Sequence, residues 1–97
     1  MKINTVEVNN KITINLEGKL DSTTFSLLDG EISKLDLIDK VVCLDLKDLE
    51  YISSAGLRVV LKLKKIMDRV GKLEVINPNE LVMEVFEITG FASLLGL

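Results

Sequence analysis

The chain has 97 residues, 12 of them basic and 15 acidic, which gives a formal net charge of −3. This length is typical of one domain, so we expect a single domain over residues 1–97. The mild acidity argues against a dedicated nucleic-acid binder, which would carry a basic excess. The chain has no histidine, which excludes catalytic sites of the Ser-His-Asp and Cys-His kinds.

The sequence also lacks the features of metal sites, phosphate-binding loops, signal peptides and membrane helices. The single cysteine, Cys43, cannot form an intramolecular disulfide and indicates a reducing compartment, the cytoplasm. One cysteine without histidine is a poor donor set for zinc, and no Gly-rich phosphate loop is present. Met1 to Val8 is not a signal peptide, and no apolar run approaches the roughly 18–20 residues of a membrane helix. We therefore expect no enzyme activity, no cofactor, no metal and no membrane insertion.

The first third of the chain predicts a β-hairpin followed by a helix. Apolar and polar residues alternate around Asn9-Asn10, and adjacent asparagines tolerate the left-handed backbone of a tight turn. The apolar positions of the two strands are Val6, Val8, Ile12, Ile14 and Leu16. The segment from Gly18 to Asp21 breaks the alternation, and Asp21 or Ser22 is expected to cap the helix. The inner face of that helix is predicted to carry Phe25, Leu28, Ile32 and Leu35.

The middle of the chain predicts a buried strand, a loop and a long helix. The nearly unbroken apolar run from Val41 to Leu46 is typical of a strand covered on both faces. A loop is expected from Lys47 to Ser53, and a helix from about Ser54 to Gly71, with Gly71 as a left-handed C-terminal cap. The inner stripe of this helix is predicted to be Val60, Leu63, Met67 and Val70.

The last third predicts a strand, a helix and a short apolar tail. Leu73 and Val75 mark the strand, and Asn77-Pro78-Asn79-Glu80 is a helix start with Asn77 as the cap. The inner face of the helix is expected to carry Leu81, Val85 and Ile88, with Gly90 closing it. The tail from Phe91 to Leu97 is either a strand or an irregular segment. The resulting order, β-β-α-β-α-β-α, predicts an α/β domain with a mixed β-sheet packed by helices.

The segment from Leu49 to Leu57 is the most informative for function. Ser53 and Ser54 lie where a strand and loop meet the N-terminus of a helix, and unpaired N–H groups and the helix dipole favour an anion there. A phosphoryl group on Ser54 would be tolerated by the helix and would add nearly two negative charges. The simpler interpretation is that Ser53 or Ser54 is only an N-cap. A hydrolase motif fails, because Ile52 stands where Gly-x-Ser-x-Gly needs its first glycine.

Five stretches along the chain resemble one known family. They are Leu16 to Asp21, Val41 to Leu46, Tyr51 to Leu57, Ile76 to Pro78 and Ile88 to Phe91. Each is weak alone, but in this order and spacing they are similar to the STAS domain family, and within it to the bacterial anti-sigma factor antagonists. The resemblance covers nearly the whole chain and implies a STAS-like fold.

The resemblance also implies a partner switch. In the family, an anti-sigma factor that is also a serine kinase phosphorylates a serine at the start of a helix. The unphosphorylated antagonist binds that kinase and frees the sigma factor, the phosphorylated form lets go, and a phosphatase resets it. The matching serine is Ser54, and the resemblance implies a partner-binding surface of Asp21, Ser22, Ser53, Ala55, Gly56, Leu57 and Arg58. We expect a monomer or a weak homodimer.

One position departs from the family pattern, because Ser53 stands where the family commonly has aspartate. The departure leaves open which kinase recognises the site and whether Ser53 is sometimes the acceptor. A second interpretation is a non-switching STAS subunit of a larger lipid-transport or stress-sensing assembly, in which Ser54 merely caps a helix. A third, a small nucleotide-binding or catalytic protein, has the missing histidine and phosphate loop against it.

The long helix is basic. Its charged residues are Arg58, Lys62, Lys64, Lys65, Asp68 and Arg69. The simplest interpretation is a solvated face. A sharper one is that Arg58, one turn beyond Ser54, contacts the acidic side of a partner or the phosphate. Cys43 lies in the apolar strand and is interpreted as a packing residue.

Overall fold

A computed structural model describes all 97 residues, which form a four-stranded mixed sheet and four helices. The elements are β1 (Lys2–Val8), β2 (Lys11–Leu20), α1 (Phe25–Ser33), β3 (Val41–Ile52), α2 (Ser54–Val70), β4 (Lys72–Ile76), α3 (Glu80–Ile88) and α4 (Phe91–Leu94). The strands lie in the order β1-β2-β3-β4; the first pair is antiparallel and the other two are parallel. The predicted α/β class and element order are confirmed.

The N-terminal hairpin forms as predicted. Asn9 and Asn10 both adopt positive φ, 50° and 65°, which is the backbone of a two-residue turn that matches the twist of the strands. Ile12, Ile14 and Leu16 are fully buried on one face of β2. The period-two alternation therefore gave both the strand and its inner face.

Both central strands run further than the sequence pattern predicted. The prediction of a break at Gly18 and of a loop from Lys47 is wrong, since β2 continues to Leu20 and β3 to Ile52. The two strands pair in parallel along this extension, with register shifts and a positive φ of 106° at Gly18. Register shifts of this kind interrupt the simple alternation of apolar and polar residues along the strands.

The helices lie against one face of the sheet. Val42, Leu44 and Leu46 point to this face and are fully buried. Cys43 and Asp45 point to the other face, beside the half-buried polar residues of the neighbouring strands. On that second face Cys43 is buried but Asp45 is only half-buried, so the prediction that β3 is covered on both faces holds only in part. None of the helices is both long and apolar enough to cross a membrane.

Helix α2 has the predicted length and inner stripe, with Val60, Leu63 and Met67 fully buried. Its C-terminal cap differs from the prediction, because Gly71 has a φ of −170° and is extended rather than left-handed. Glycine is needed there for space: a Cβ would lie 2.2 Å from the carbonyl oxygen of Lys40.

Helix α3 begins two residues later than predicted, and this changes its inner face. Asn77 has φ 60° and forms a turn, while Asn79 is the N-cap and accepts a hydrogen bond from the N–H of Val82 at 2.8 Å. The buried residues are consequently Val82 and Phe86. The predicted inner residues Leu81 and Ile88 are instead exposed, and Val85 is half-buried.

The remaining corrections concern α1 and the tail. Thr24, not Asp21 or Ser22, is the N-cap of α1, and it makes no side-chain capping bond. Leu28 and Ile32 are buried as predicted, but Phe25 is exposed and Leu35, which follows the helix, is half-buried. The tail forms the short helix α4 after a left-handed Gly90, whereas a strand or an irregular segment was expected.

Candidate functional site

The candidate site lies at the carboxyl ends of the two central strands. Leu20 is the last residue of β2 and pairs with Ile52, the last residue of β3. The N–H of Ser53 donates to the carbonyl of Leu20 at 2.9 Å and extends this pairing by one residue. The segment that starts at Asp21 and the start of α2 therefore leave the sheet side by side. In open α/β sheets, ligands characteristically bind outside this edge.

The start of α2 is held against the strand ends by close packing. A Cβ on Gly56 would lie 2.8 Å from both Cγ and the carbonyl oxygen of Leu20, and 2.9 Å from Cγ1 of Ile52. No other residue type fits at this distance without displacement of the strand ends. This contact fixes the direction in which the first turn presents its outward side chains.

Ser53 is the N-cap of α2. Its backbone is extended, its Oγ accepts from the N–H of Gly56 at 3.5 Å, and its carbonyl accepts from the N–H of Leu57 at 2.9 Å. Ser54 is the first helical residue, is exposed, and makes no side-chain hydrogen bond within the protein. The sequence allows either serine to be the cap, and the structure shows that it is Ser53. The hydroxyl of Ser54 is therefore free to react.

Asp21 organises a tight turn beside this helix start. Its Oδ1 accepts from the N–H of Thr23 at 2.9 Å, from Oγ1 of Thr23 at 2.7 Å and from Oγ1 of Thr24 at 3.3 Å. The hydrogen bonds from the Thr23 side chain and backbone lower the pKa of the Asp21 carboxyl below its ordinary value. Asp21 is thus an ionised group in a fixed orientation at neutral pH.

The predicted site residues divide into two sets. Ser22, Ser54 and Arg58 are exposed, and Asp21 and Ser53 are half-buried, so this set forms a surface that a partner can reach. Ala55, Gly56 and Leu57 are buried. The small size of Gly56 lets the helix approach the strand ends.

Sequence reasoning missed a depression next to this surface. It has a volume of about 500 Å³ and is lined by Lys19, Asp21, Glu50, Tyr51 and Leu81. The side-chain amide of Asn79 donates to the carbonyl of Leu49 at 3.0 Å and thereby joins the start of α3 to the end of β3. Leu81 escaped prediction because the predicted helix start lies two residues too early, which places Leu81 on the inner face.

Neither the cysteine nor the acidic side chains form a second reactive site. Burial raises the pKa of the Cys43 thiol, which disfavours the reactive thiolate. No group of three or more Cys, Asp or Glu side chains converges in a way that could hold a metal ion. The chemistry available at the site is that of an exposed serine hydroxyl at a helix N-terminus, beside an ordered carboxylate.

The four-stranded mixed sheet and its helices define a small α/β domain, and an exposed serine lies at the start of its second helix, α2. A family model described as "Mlab, STAS domain" matches residues 3–96. The chain belongs to the STAS domain family, and the family assignment predicted from sequence is confirmed.

Similar proteins share both sequence and fold with this chain. BtrV of Bordetella bronchiseptica, whose name assigns it to the anti-sigma factor antagonists, is 38% identical over 96 residues, which cover 97% of this chain and 83% of BtrV. The anti-sigma factor antagonist SpoIIAA in its unphosphorylated form has the same fold, with a TM-score of 0.78 and 20% identity over 96% of this chain and 84% of SpoIIAA. The phosphorylated form of Bacillus SpoIIAA gives a TM-score of 0.70 and 19% identity, with coverage of 96% and 87%.

Proposed function

We propose that this chain is an anti-sigma factor antagonist whose binding to an anti-sigma factor serine kinase is switched off by phosphorylation of Ser54. The observation that carries the proposal is the free, exposed hydroxyl of Ser54 at the first position of α2, which leaves the sheet next to the segment that starts at Asp21. Two similarities support it: BtrV bears the name of an antagonist, and SpoIIAA exists in unphosphorylated and phosphorylated forms. Residues 1–97 act as one STAS domain in this proposal.

The proposed modification is a phosphoryl transfer within the complex. The Ser54 oxygen attacks the γ-phosphorus of the kinase's ATP, the bond to the β-phosphate oxygen breaks, ADP leaves and the hydroxyl proton passes to a base on the kinase. This chain supplies only the acceptor and its surroundings. A phosphatase returns Ser54 to the hydroxyl form, and the antagonist itself is not an enzyme.

Charge explains why the two forms would bind differently. Phosphate adds about 1.5 to 2 negative charges at neutral pH. Next to the ionised Asp21 it converts a surface with one fixed carboxylate into a strongly anionic patch. Moving occupancy from nearly full to nearly empty requires about a 10⁴-fold difference in affinity, about 5.5 kcal/mol. Desolvation of a dianion that no group of the partner pairs is of the size needed.

The proposal is tested by titrating the full chain into the serine-kinase anti-sigma factor of the same genome. Ser54→Ala should bind and stay unmodified with ATP, while Ser54→Asp should bind at least a hundredfold more weakly. Ser93→Asp is the matched control, because Ser93 is an exposed serine beside Gly71 at the opposite end of α2. Equal binding by Ser54→Asp and Ser93→Asp would contradict the switch, as would phosphorylation on Ser53 instead of Ser54 in peptide mass spectra.

A second candidate function is a fixed STAS subunit of a larger lipid-transport or stress-sensing assembly. The feature that favours it is Ser53, an uncharged helix cap at the position where the family's antagonists commonly have aspartate. A fixed subunit would keep its partner in the Ser54→Asp variant and would yield no phosphopeptide from cells. We propose a cytoplasmic monomer or weak homodimer for either function, and size-exclusion chromatography with light scattering checks the oligomeric state.

A further inference from the structure

The exposed side of α2 carries a row of positive charges that begins at Arg58 and extends beyond the predicted site residues. We define the cationic stripe as Arg58, Lys62, Lys65 and Arg69. At 3.6 residues per turn these positions fall within about 60° of one another, and the row extends about 16 Å along the helix. The stripe lies on the side of α2 opposite the buried Val60, Leu63 and Met67.

Most of this charge is not neutralised within the protein. Lys62 pairs with Asp29 of α1 at 2.8 Å, but Arg58, Lys65 and Arg69 take part in no ion pair. The chain as a whole has a net charge of −3, so the stripe is a local reversal of sign. Its side chains surround a shallow depression of about 460 Å³, with Leu61 and Ile66 at its margins.

The shape and surroundings of the stripe favour one kind of ligand, a short acidic segment of a protein. Arginine guanidinium groups bind carboxylates in a bidentate geometry, and apolar margins fit the non-polar side chains of such a segment. A long polyanion such as DNA would extend beyond about 16 Å and meet the negative remainder of the surface. An anionic membrane needs projecting apolar side chains, whereas Leu61 and Ile66 are half-buried.

We propose that the cationic stripe is the docking surface for an acidic segment of the same partner that contacts Ser54. The identity of that partner, an anti-sigma factor kinase, rests on the proposed function. Ser54 and Arg58 are four residues apart on the helix and therefore neighbours on its surface. The partner's interface thus continues from the modified serine along the exposed side of α2.

This arrangement divides the stripe into two parts. Electrostatic effects between exposed charges fade over about 8 Å at physiological ionic strength. A phosphate on Ser54 reaches Arg58, about 6 Å along the axis, but not Arg69, which is about 22 Å away. Phosphorylation therefore neutralises Arg58 and repels the acidic segment at the head of the stripe. Lys65 and Arg69 contribute equally to partner binding whether Ser54 is phosphorylated or not.

The test uses a stripe variant and a control with the same change in net charge. The stripe variant is Lys65→Gln/Arg69→Gln, and the control is Lys2→Gln/Lys72→Gln, whose lysines are exposed and unpaired. Each is titrated with the kinase and, by fluorescence anisotropy, with a labelled peptide of Glu-Ala-Leu-Glu-Ala-Ala repeats. A peptide with Gln in place of Glu, phosphatidylglycerol vesicles and duplex DNA are measured alongside.

We expect the stripe variant to bind both the kinase and the Glu peptide about tenfold more weakly, the control to be unchanged, and the gap to close at high salt. If Ser54→Asp loses the kinase but the stripe variant keeps it, the inference is overturned and the switch stands. If the wild-type protein does not bind the kinase, the proposed function fails, and binding of the Glu peptide alone tests the stripe. Weaker peptide binding by the stripe variant than by wild type then supports the stripe as a docking surface, and equal binding overturns it. Tighter binding of vesicles or DNA than of the Glu peptide also overturns it.

Discussion

The two ends of α2 are both fixed by a glycine with no room for a side chain, yet only the N-terminal end carries an exposed serine in the helix itself. At the C-terminal end, a Cβ on Gly71 would collide with the carbonyl oxygen of Lys40. The backbone there is used internally, because the carbonyl of Val70 accepts from Asp39 at 2.8 Å and the carbonyl of Lys40 accepts from Lys72 at 3.1 Å. These backbone groups at the C-terminal end of α2 are therefore paired within the protein.

At the N-terminal end, Gly56 makes the same kind of close contact but the outcome differs. The first turn of a helix leaves N–H groups without intrahelical acceptors, and here they lie beside an exposed hydroxyl and an ordered carboxylate. The comparison shows that close packing supplies only the fixed position of α2. Function depends on which polar groups the packing leaves at the surface.

The largest effect is expected from placing a methyl group at these two glycines. Overpacking typically costs about 1–3 kcal/mol. Gly71→Ala should lose about 3 kcal/mol of unfolding free energy, because its obstacle at 2.2 Å is backbone. Gly56→Ala should lose about 2 kcal/mol, since the obstacles at 2.8–2.9 Å include the side chains of Leu20 and Ile52. Chemical denaturation monitored by circular dichroism measures both.

Gly30→Ala is the matched control, because a Cβ there would meet nothing within 4 Å. It lies inside α1, where replacing glycine by alanine should stabilise the protein by roughly 0.5–1 kcal/mol. A loss of stability in Gly30→Ala equal to that in Gly71→Ala would contradict the steric explanation. Partner binding separates the two ends further: Gly56→Ala should weaken it even where the protein is folded, and Gly71→Ala should not.

Asn79→Ala tests the support of the functional end from α3. The side-chain oxygen of Asn79 caps α3 at 2.8 Å from the N–H of Val82, and its amide holds the carbonyl of Leu49 at 3.0 Å. Loss of a cap and a cross-link should cost about 1–2 kcal/mol. Asn77→Ala, two residues earlier, removes a hydrogen bond to Asp45 and places alanine at a φ of 60°, so it should lower stability without loss of a helix cap. If Asn77→Ala lost more helix content than Asn79→Ala, the assignment of Asn79 as the cap of α3 would be wrong.

The sequence predicted most of the sheet and α2 because these elements have simple periodicity. Alternation identified Ile12, Ile14 and Leu16, and the helical spacing identified Val60, Leu63 and Met67. The extension of β2 and β3 to Leu20 and Ile52 escaped prediction, because a shifted ladder breaks the period of two. This edge nevertheless carries the candidate site, so the irregular part of the pattern held the functional information.

The candidate site was predictable in position but not in the role of each residue. Local capping rules allow either Ser53 or Ser54 to cap α2, and the packing of the first turn decides in favour of Ser53. The burial of Gly56 and Leu57 likewise depends on where Leu20 and Ile52 end their strands. Contacts between segments that are distant in sequence set these roles, and no short motif contains them.

Ser53→Ala should have a smaller effect, about 0.5–1 kcal/mol of lost stability. The value falls in the lower part of the range for lost caps, because the Oγ of Ser53 lies 3.5 Å from the N–H of Gly56. Ser54→Ala is its control and should leave stability nearly unchanged, since the Ser54 side chain makes no hydrogen bond. Thermal denaturation of the two variants distinguishes them. A larger loss in Ser54→Ala would assign the cap, and a structural role, to Ser54.

The smallest effect concerns Asp21 and pH. Hydrogen bonds from the Thr23 side chain and backbone lower its folded-state pKa below the ordinary 3.8. A carboxyl with a depressed pKa contributes stability above its unfolded-state pKa and loses that contribution as pH falls through its folded-state pKa. Asp21→Asn should therefore be less stable than wild type at neutral pH, and the gap should close as the pH falls below about 4.

The partner of this carboxylate provides the sharper test. Thr23→Ala removes the largest cause of the shift, so the pKa of Asp21, followed by NMR of the carboxyl carbon, should rise toward its ordinary value. The acid limb of the stability curve should then flatten in step with it. If the pKa of Asp21 and the acid limb of the stability curve were both unchanged in Thr23→Ala, the turn would not be held by this carboxylate. In that case the N-terminal end of α2 would differ from the C-terminal end only through Ser54 and the unpaired N–H groups of its first turn.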